Sequence, residues 1–518
     1  MKKNYYLFVP ILALFIGVGI NSCTDDFEEI NTNPLALTAD KVDASLIGLA
    51  FAQTQYNTLN GVHWRFQISQ NLFSDLYAQY YATTQSNFDS DRYLQVGRWS
   101  DLCWGSFYGQ AAPNIKFVED FTMSEGNEDP VGNAVAKIWR VYGYHRITDY
   151  YGPIPYSQFG NTELEVPYDS QESIYRDFFT TLDEAVSVLK SNPGSSAFGS
   201  NDQIYGGDSD KWLTFANTLR LRLALRVKGI DPGLAQSEAE KAVNDGVMET
   251  GDDSAFLLTT DQSQNPINTI TNWGEYRMSS DMESVLKGYD DPRTPIYFSP
   301  AAAGDRADDA DNFPFEGLRN GQSKIDITAD QNSPHSDLGP NFLPDNIGGN
   351  PPVVVIRAAE AWLLRAEGAL EGWSMATTAE EAYNNGITNS LEEWGVASPG
   401  YINSTAVPAS PEDGLAAVIT VPVQFDAARA MEQVITQKWL ALYPDGWEAW
   451  AVKRATGYPV TYDRLNSENP NVAANETMRK MKYVTSEFDN NRSAVDAAIA
   501  LPENGGQDHG GVRVWWNN

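Results

Sequence analysis

The sequence predicts an all-α protein: a tetratricopeptide-like scaffold of helix-turn-helix units with long loop excursions and a few short strands. Three observations carry that expectation. Apolar residues recur every three to four positions through several long segments. Some of these segments follow one another across short Gly- or Pro-marked turns, as in helical solenoids. Between them lie long Gly, Pro, Asn and Asp-rich stretches, 191-209, 249-275, 299-350 and 396-420, of a length that is usually functional when it is ordered.

From Ile174 the apolar positions Phe178, Leu182, Ala185, Val186 and Leu189 form one stripe behind an Asp169 to Glu172 capping box. The segment KWLTFANTLRLRLALRVK sets Trp212, Phe215, Leu219, Leu223 and Val227 on one face. Its length and the preceding Asp210 cap outweigh the strand-like Leu-Arg alternation. After Pro351-Pro352, VVVIRAAEAWLLRAEGAL reads as a third helix with Arg357, Glu360 and Glu367 among its apolar residues, where polar groups need partners. AEEAYNNGITNSLEEWGV reads as its antiparallel mate across Gly372-Trp373-Ser374. FDAARAMEQVITQKWLALY reads as a further helix ended by Pro444-Asp445-Gly446. No strict 34-residue period is present, so the units are divergent.

The start of the chain is an address. Lys2 and Lys3 precede an uncharged run from Tyr5 to Ile20, the layout of an export signal. Ser22 is followed directly by Cys23, as in a bacterial lipobox, and then by TDDFEE. The expectation is a signal peptide over 1-22, lipidation of Cys23, a flexible tether over 23-34, and one domain over 35-518.

Composition narrows the function. The 518 residues carry a net charge of −33, two units more negative once a leader with Lys2 and Lys3 is removed. Such a surface repels phosphate backbones, which excludes nucleic acid as a partner. With Cys23 lipidated, Cys103 has no disulfide partner and reads as a small buried thiol. His63, His145, His335 and His509 are scattered, with no HExxH, GxSxG, P-loop or GxGxxG in a fitting context. The acidic run DRADDAD at 305-311 lacks the order and glycine of a calcium loop. No metal or cofactor is expected. A glycosidase carboxylate pair has no local signature, so a surface glycosidase stays open as a third reading.

In chain order, CTDDFEEINTNP, ITDYYGPIPYS (147-157), KWLTFANTLRLRLALR (211-226), RAAEAWLLRAEGAL (357-370), AYNNGITNSLEEWG (382-395), ITQKWLALYPDGWEAW (435-450), RATGYP (454-459) and VRVWW (512-516) resemble the SusD/RagB-like outer-membrane lipoproteins. The resemblance spans the mature chain, although the segment MRKMKYVTSEFDNN departs from the Arg and Tyr-Pro-rich stretch usual there. It implies four tetratricopeptide-like helix pairs and a loop face for ligand. It further implies a second face docked on a SusC-type TonB-dependent transporter, a lipid anchor on the extracellular side of the outer membrane, and no enzymatic activity. The implied ligand is an oligosaccharide, or an oligopeptide as in the RagB branch.

Sugars present C–H faces that lie on aromatic rings and hydroxyls that need polar partners. Two stretches have that mixture. In the first, from Ser69 to Tyr93, Asn71, Asp75 and Gln79 recur every four residues beside Tyr80 and Tyr81, with Trp99 just beyond. In the second, from Asn268 to Asp281, Trp273, Tyr276 and Arg277 flank a glycine. A Tyr-rich helix is equally the signature of core packing. Trp212, Trp362, Trp439, Trp447 and Trp450 lie in scaffold segments and read as structural. Arg222, Glu360 and Glu367 read as paired groups tying helix pairs together.

Overall fold

In the computed structural model the described residues are 44–163, 165–306, 312–327, 329–343, 351–411 and 415–517. The expected signal peptide, Cys23 and the tether lie outside them. Contacts divide the chain into units 1–47 and 48–518, and the second unit carries the helical scaffold.

Its longer helices are α1 (Ala44–Thr58, which begins in the first unit), α2 (Gly97–Ser106), α3 (Ala112–Met123), α4 (Pro130–Tyr151), α5 (Gln171–Ser191), α6 (Ser209–Val227), α7 (Pro232–Asp245), α8 (Ser280–Tyr289), α9 (Ala358–Leu370), α10 (Ala379–Glu393), α11 (Ala430–Leu442) and α12 (Gly446–Thr456). Short acceptor side chains start many of them. Asp129, Ser170, Asp208, Asp231, Ser279, Thr378 and Asp445 each accept from a backbone N–H of the first turn, satisfying donors that the helix leaves orphaned. Among the helix pairs that result are α4 with α5, α6 with α7, α9 with α10, and α11 with α12. They stack in that order through α5 on α6, α6 on α9 and α9 on α11.

Strands are short and come in antiparallel pairs: β1 (Tyr81–Thr83) with β5 (Tyr276–Met278), β2 (Ile154–Pro155) with β3 (Tyr168–Asp169), and β4 (Ala255–Leu257) with β6 (Val353–Ile356).

Several local expectations shift. Ser170, not Asp169, caps α5, because Asp169 belongs to β3 and accepts from Ser157. Asp208 caps α6, leaving Asp210 in the first turn. The run Val353–Ile356 is strand rather than helix; its β-branched residues pair with β4, and α9 starts only at Ala358. Residues 425–429 precede α11 outside the helix, turning at 427–428. Asp445 opens α12 instead of ending α11.

Buried ion pairs cross the stack. On α6, Arg222 donates from Nε and Nη2 to the two oxygens of Glu360 on α9, at 2.7 and 2.6 Å. Arg226, one turn on, donates to both oxygens of Glu448 on α12 at 2.6 Å and lies 3.5 Å from Asp149 on α4. Glu367 on α9 takes Lys438 of α11 at 3.0 Å and Lys228 at 3.1 Å. Asp149 is completed by Tyr175 and by Trp516 of the closing VRVWW segment, which lays its indole beneath Arg226. The charges are buried, but almost every one meets an opposite charge, which is the condition for tolerating them.

Candidate functional site

The Tyr-rich stretch forms part of the core. Residues Gln67–Asp75 are π-helical and pack against α12. The helical run stops at Tyr77, Gln79 takes a left-handed backbone (φ 58°) and Tyr81 enters β1. The polar face expected from the four-residue spacing of Asn71, Asp75 and Gln79 therefore does not form. All three are buried, as are Tyr80 and Tyr81.

Rings and backbone carbonyls explain why such polar-tipped residues can be interior. Tyr80 stacks obliquely on Trp439 at 5.3 Å and donates its hydroxyl to the Trp439 carbonyl. Tyr81 lies 5.0 Å from Tyr276 and 6.0 Å from Tyr443. Gln79 donates to Asp281 and to the Tyr462 carbonyl, and accepts from Lys453. Burial pushes the Asp75 carboxyl well above the ordinary range, against the opposing pull of Gln70, Arg146 and the Gly446 backbone N–H. In the second stretch Tyr276 is buried, its hydroxyl 2.9 Å from that of Thr271. Arg277 is buried too, with its guanidinium turned to the Tyr276 carbonyl and to Asp337. These seven residues, expected on an open ligand face, lie in the interior. Trp99 is half-buried with its edge on Phe88. Cys103 is buried, and burial lifts its thiol to about 11.

Trp273 is different. It follows a short helix, Pro266–Thr271, capped by Asn265. Its backbone N–H bonds the Ile270 carbonyl, and Gly274 then turns the chain with φ 64°, a conformation that glycine adopts without strain. That turn leaves the Trp273 indole 39% exposed. Against this helix packs another short one, His63–Phe66. It holds Phe66 in the core and presents His63 and Trp64 outward, Trp64 also 39% exposed.

The His63 ring stands edge-on to Trp273 at 5.6 Å, and the Arg65 guanidinium lies 5.2 Å over the Trp64 ring. Gln67 ties the base of one segment to the other by donating to Glu275. Partial burial raises the Glu275 carboxyl, and Gln67 holds it down. Asn272 is exposed beside Trp273, and half-buried Tyr56 completes the patch near Arg65.

Two indole faces, a guanidinium, an imidazole and amide edges on one surface can stack on sugar C–H faces and hydrogen-bond hydroxyls. Sequence reasoning singles out Trp273, whose exposure the fold shows, and passes over Trp64, His63 and Arg65 beside it. Their signal is of the same kind: a tryptophan between polar residues close to Gly61. Among the described residues no three His, Cys, Asp or Glu side chains stand together as metal ligands, and no helix is long and apolar enough to cross a membrane.

Stacked helix pairs bound by buried ion pairs, with tryptophans set out on short loop-borne helices, define an all-α repeat-scaffold protein. The chain belongs to the SusD-like family, described as SusD and RagB outer membrane lipoprotein, which matches residues 29–517. Among solved structures it is similar to a chitin-binding SusD homologue from Flavobacterium johnsoniae, with 34% identity and a TM-score of 0.81 over 91% of this chain and 99% of that one. A SusD homologue from Bacteroides vulgatus is 30% identical with a TM-score of 0.81, covering 90% and 97%. A SusD-like protein from Bacteroides thetaiotaomicron is 31% identical with a TM-score of 0.79, covering 92% and 98%. No curated protein matches the chain.

Proposed function

We propose that this protein is a non-catalytic, cell-surface glycan-binding lipoprotein. It captures oligosaccharide on the Trp64–Trp273 surface and hands it to a SusC-type TonB-dependent transporter. Cys23 anchors it by lipid to the extracellular face of the outer membrane, and 23-34 acts as a leash that keeps the domain near its partner. The family's description as outer-membrane lipoproteins supports the location. The chitin-binding relative supports a glycan as the class of ligand.

The observation that carries the reading is the pair of tryptophans left 39% exposed on adjoining short helices. So many of this chain's other aromatics are buried that an exposed pair beside His63 and Arg65 calls for a partner. The test is to incubate the mature protein with oligosaccharide and oligopeptide panels, measuring binding by calorimetry and release of reducing ends. Saturable glycan binding without release is expected. Binding to peptides alone would refute the glycan reading, and released reducing ends would refute the absence of catalysis.

A further inference from the structure

Behind the two short helices lies a cavity of about 300 Å³, at the lower end of small-molecule sites. Phe66 and Ile267 reach it from the helices that carry or precede the exposed tryptophans, and Phe256, Phe342 and Val354 complete the apolar wall. Exposed Asn341 and Pro352 form its rim.

Among the described residues, the polar part of the lining carries two unpaired donors side by side. The Arg357 side chain, only 5% exposed, makes a single hydrogen bond among the described residues, from Nη1 to Glu393 at 3.4 Å. Its Nε has no acceptor. Trp394, whose ring lies 4.5 Å from that guanidinium, has no acceptor for its indole N–H among the described residues either. The wall thus lacks acceptors, not donors. A buried guanidinium normally spends most of its five N–H groups. By contrast Arg146, in the same wall, has both Nη groups engaged, Nη1 with Asp445 and Tyr142 and Nη2 with Gln70.

Charge selects the missing acceptor. The two arginines of the cavity are already matched by Asp445 and Glu393, so an anion would add an unbalanced charge between apolar walls. An uncharged carbonyl attached to an apolar group meets both demands. We propose that this cavity is a subsite for an N-acetylated sugar, its acetamido carbonyl accepting from Arg357 and Trp394 and its methyl group lying against the apolar wall. The inference rests on the glycan reading above and names the sugar class that this part of the site selects.

The experiment titrates the full mature protein with N-acetylglucosamine, glucose and glucuronate, following heat and Trp fluorescence. It repeats the titrations on Arg357→Gln and Trp394→Phe. The acetylated sugar should bind about tenfold more tightly than glucose, the worth of one or two hydrogen bonds. Trp394→Phe, which keeps an aromatic ring and removes the N–H donor, should reduce that preference several-fold, and Arg357→Gln should abolish it. Should Arg357→Gln not fold, Trp394→Phe alone decides. Equal affinities for the three sugars, a preference for glucuronate, or a preference that survives Trp394→Phe would overturn the proposal. Those outcomes are separable from failure of the glycan reading, because oligosaccharide binding sensitive to Trp273→Ala would then still be present.

Discussion

Replacing Glu360 by Gln tests the idea that buried ion pairs hold the helix stack together. Arg222 and Glu360 are each 1% exposed and joined by two short bonds. The next carboxylate, Glu448, lies 3.8 Å from Arg222 and is already held by both of its oxygens to Arg226. Gln keeps the volume and one acceptor but removes the charge, so Arg222 is left buried with a shared counter-ion. Breaking such a pair costs about 3–5 kcal/mol, and the retained acceptor places Glu360→Gln near 3. Arg222→Met should cost less, because burial already raises the Glu360 carboxyl against the pull of Arg222, and a carboxylate can take a proton where a guanidinium cannot. The double variant Arg222→Met/Glu360→Leu removes both charges and should fall within about 2 kcal/mol of the parent. With the single Glu360→Leu closing the cycle, and costing at least as much as Glu360→Gln, the coupling should exceed about 2 kcal/mol. Urea denaturation followed by Trp fluorescence and far-UV circular dichroism measures it, with an unchanged slope as the control. Single variants that each cost under about 1 kcal/mol and simply add would refute the reasoning.

Glu367 makes the stack sensitive to acid. Burial would raise its carboxyl, but Lys438 and Lys228 overcome that and hold it at about 2. Its stabilisation is full above the ordinary value of 4.5 and is lost as pH falls from there through about 2; the difference is worth about 3 kcal/mol. Glu367→Gln should flatten the acid limb of a melting-temperature profile between those limits, and an unchanged limb would count against it. Tyr80→Ala removes a fully buried ring packed on Trp439 and Tyr443. It should cost about 3–5 kcal/mol in denaturant unfolding, and a loss of glycan affinity with unchanged stability would contradict its interior role. Cys23→Ser should spare glycan affinity in vitro while releasing the protein from the outer membrane, read by fractionation; retention in the membrane fraction would remove Cys23 as the anchor.

Much of the scaffold was legible because its signals are local. The stripe from Ile174 to Leu189 and the Trp212 to Val227 face lie on α5 and α6, and Arg222, Glu360 and Glu367 are buried in charge pairs. What was misread depended on distant partners. Val353–Ile356 looked helical until β4, a hundred residues earlier, claimed it as a strand. The Asn71, Asp75, Gln79 spacing assumed an α-helix that π-helical turns and a left-handed Gln79 interrupt. Tyr80 and Tyr81 carry the composition of a sugar platform, yet α11 and Tyr443 cover them. Composition does not say which of two aromatic-rich segments faces water. Trp273 is betrayed by its glycine, whereas Trp64 is exposed through the packing of one short helix on another.

The proposed glycan surface at Trp64 and Trp273 is open to direct measurement. Affinity for the tightest-binding oligosaccharide, measured by calorimetry on the parent and on Trp64→Ala, Trp273→Ala and the double variant, tests it most directly. Each single change should weaken binding about 5- to 30-fold, as loss of an exposed indole contact of about 1–2 kcal/mol requires. The double should abolish measurable binding with melting temperatures unchanged. Full affinity in the double variant would place the glycan elsewhere on the molecule and contradict the account.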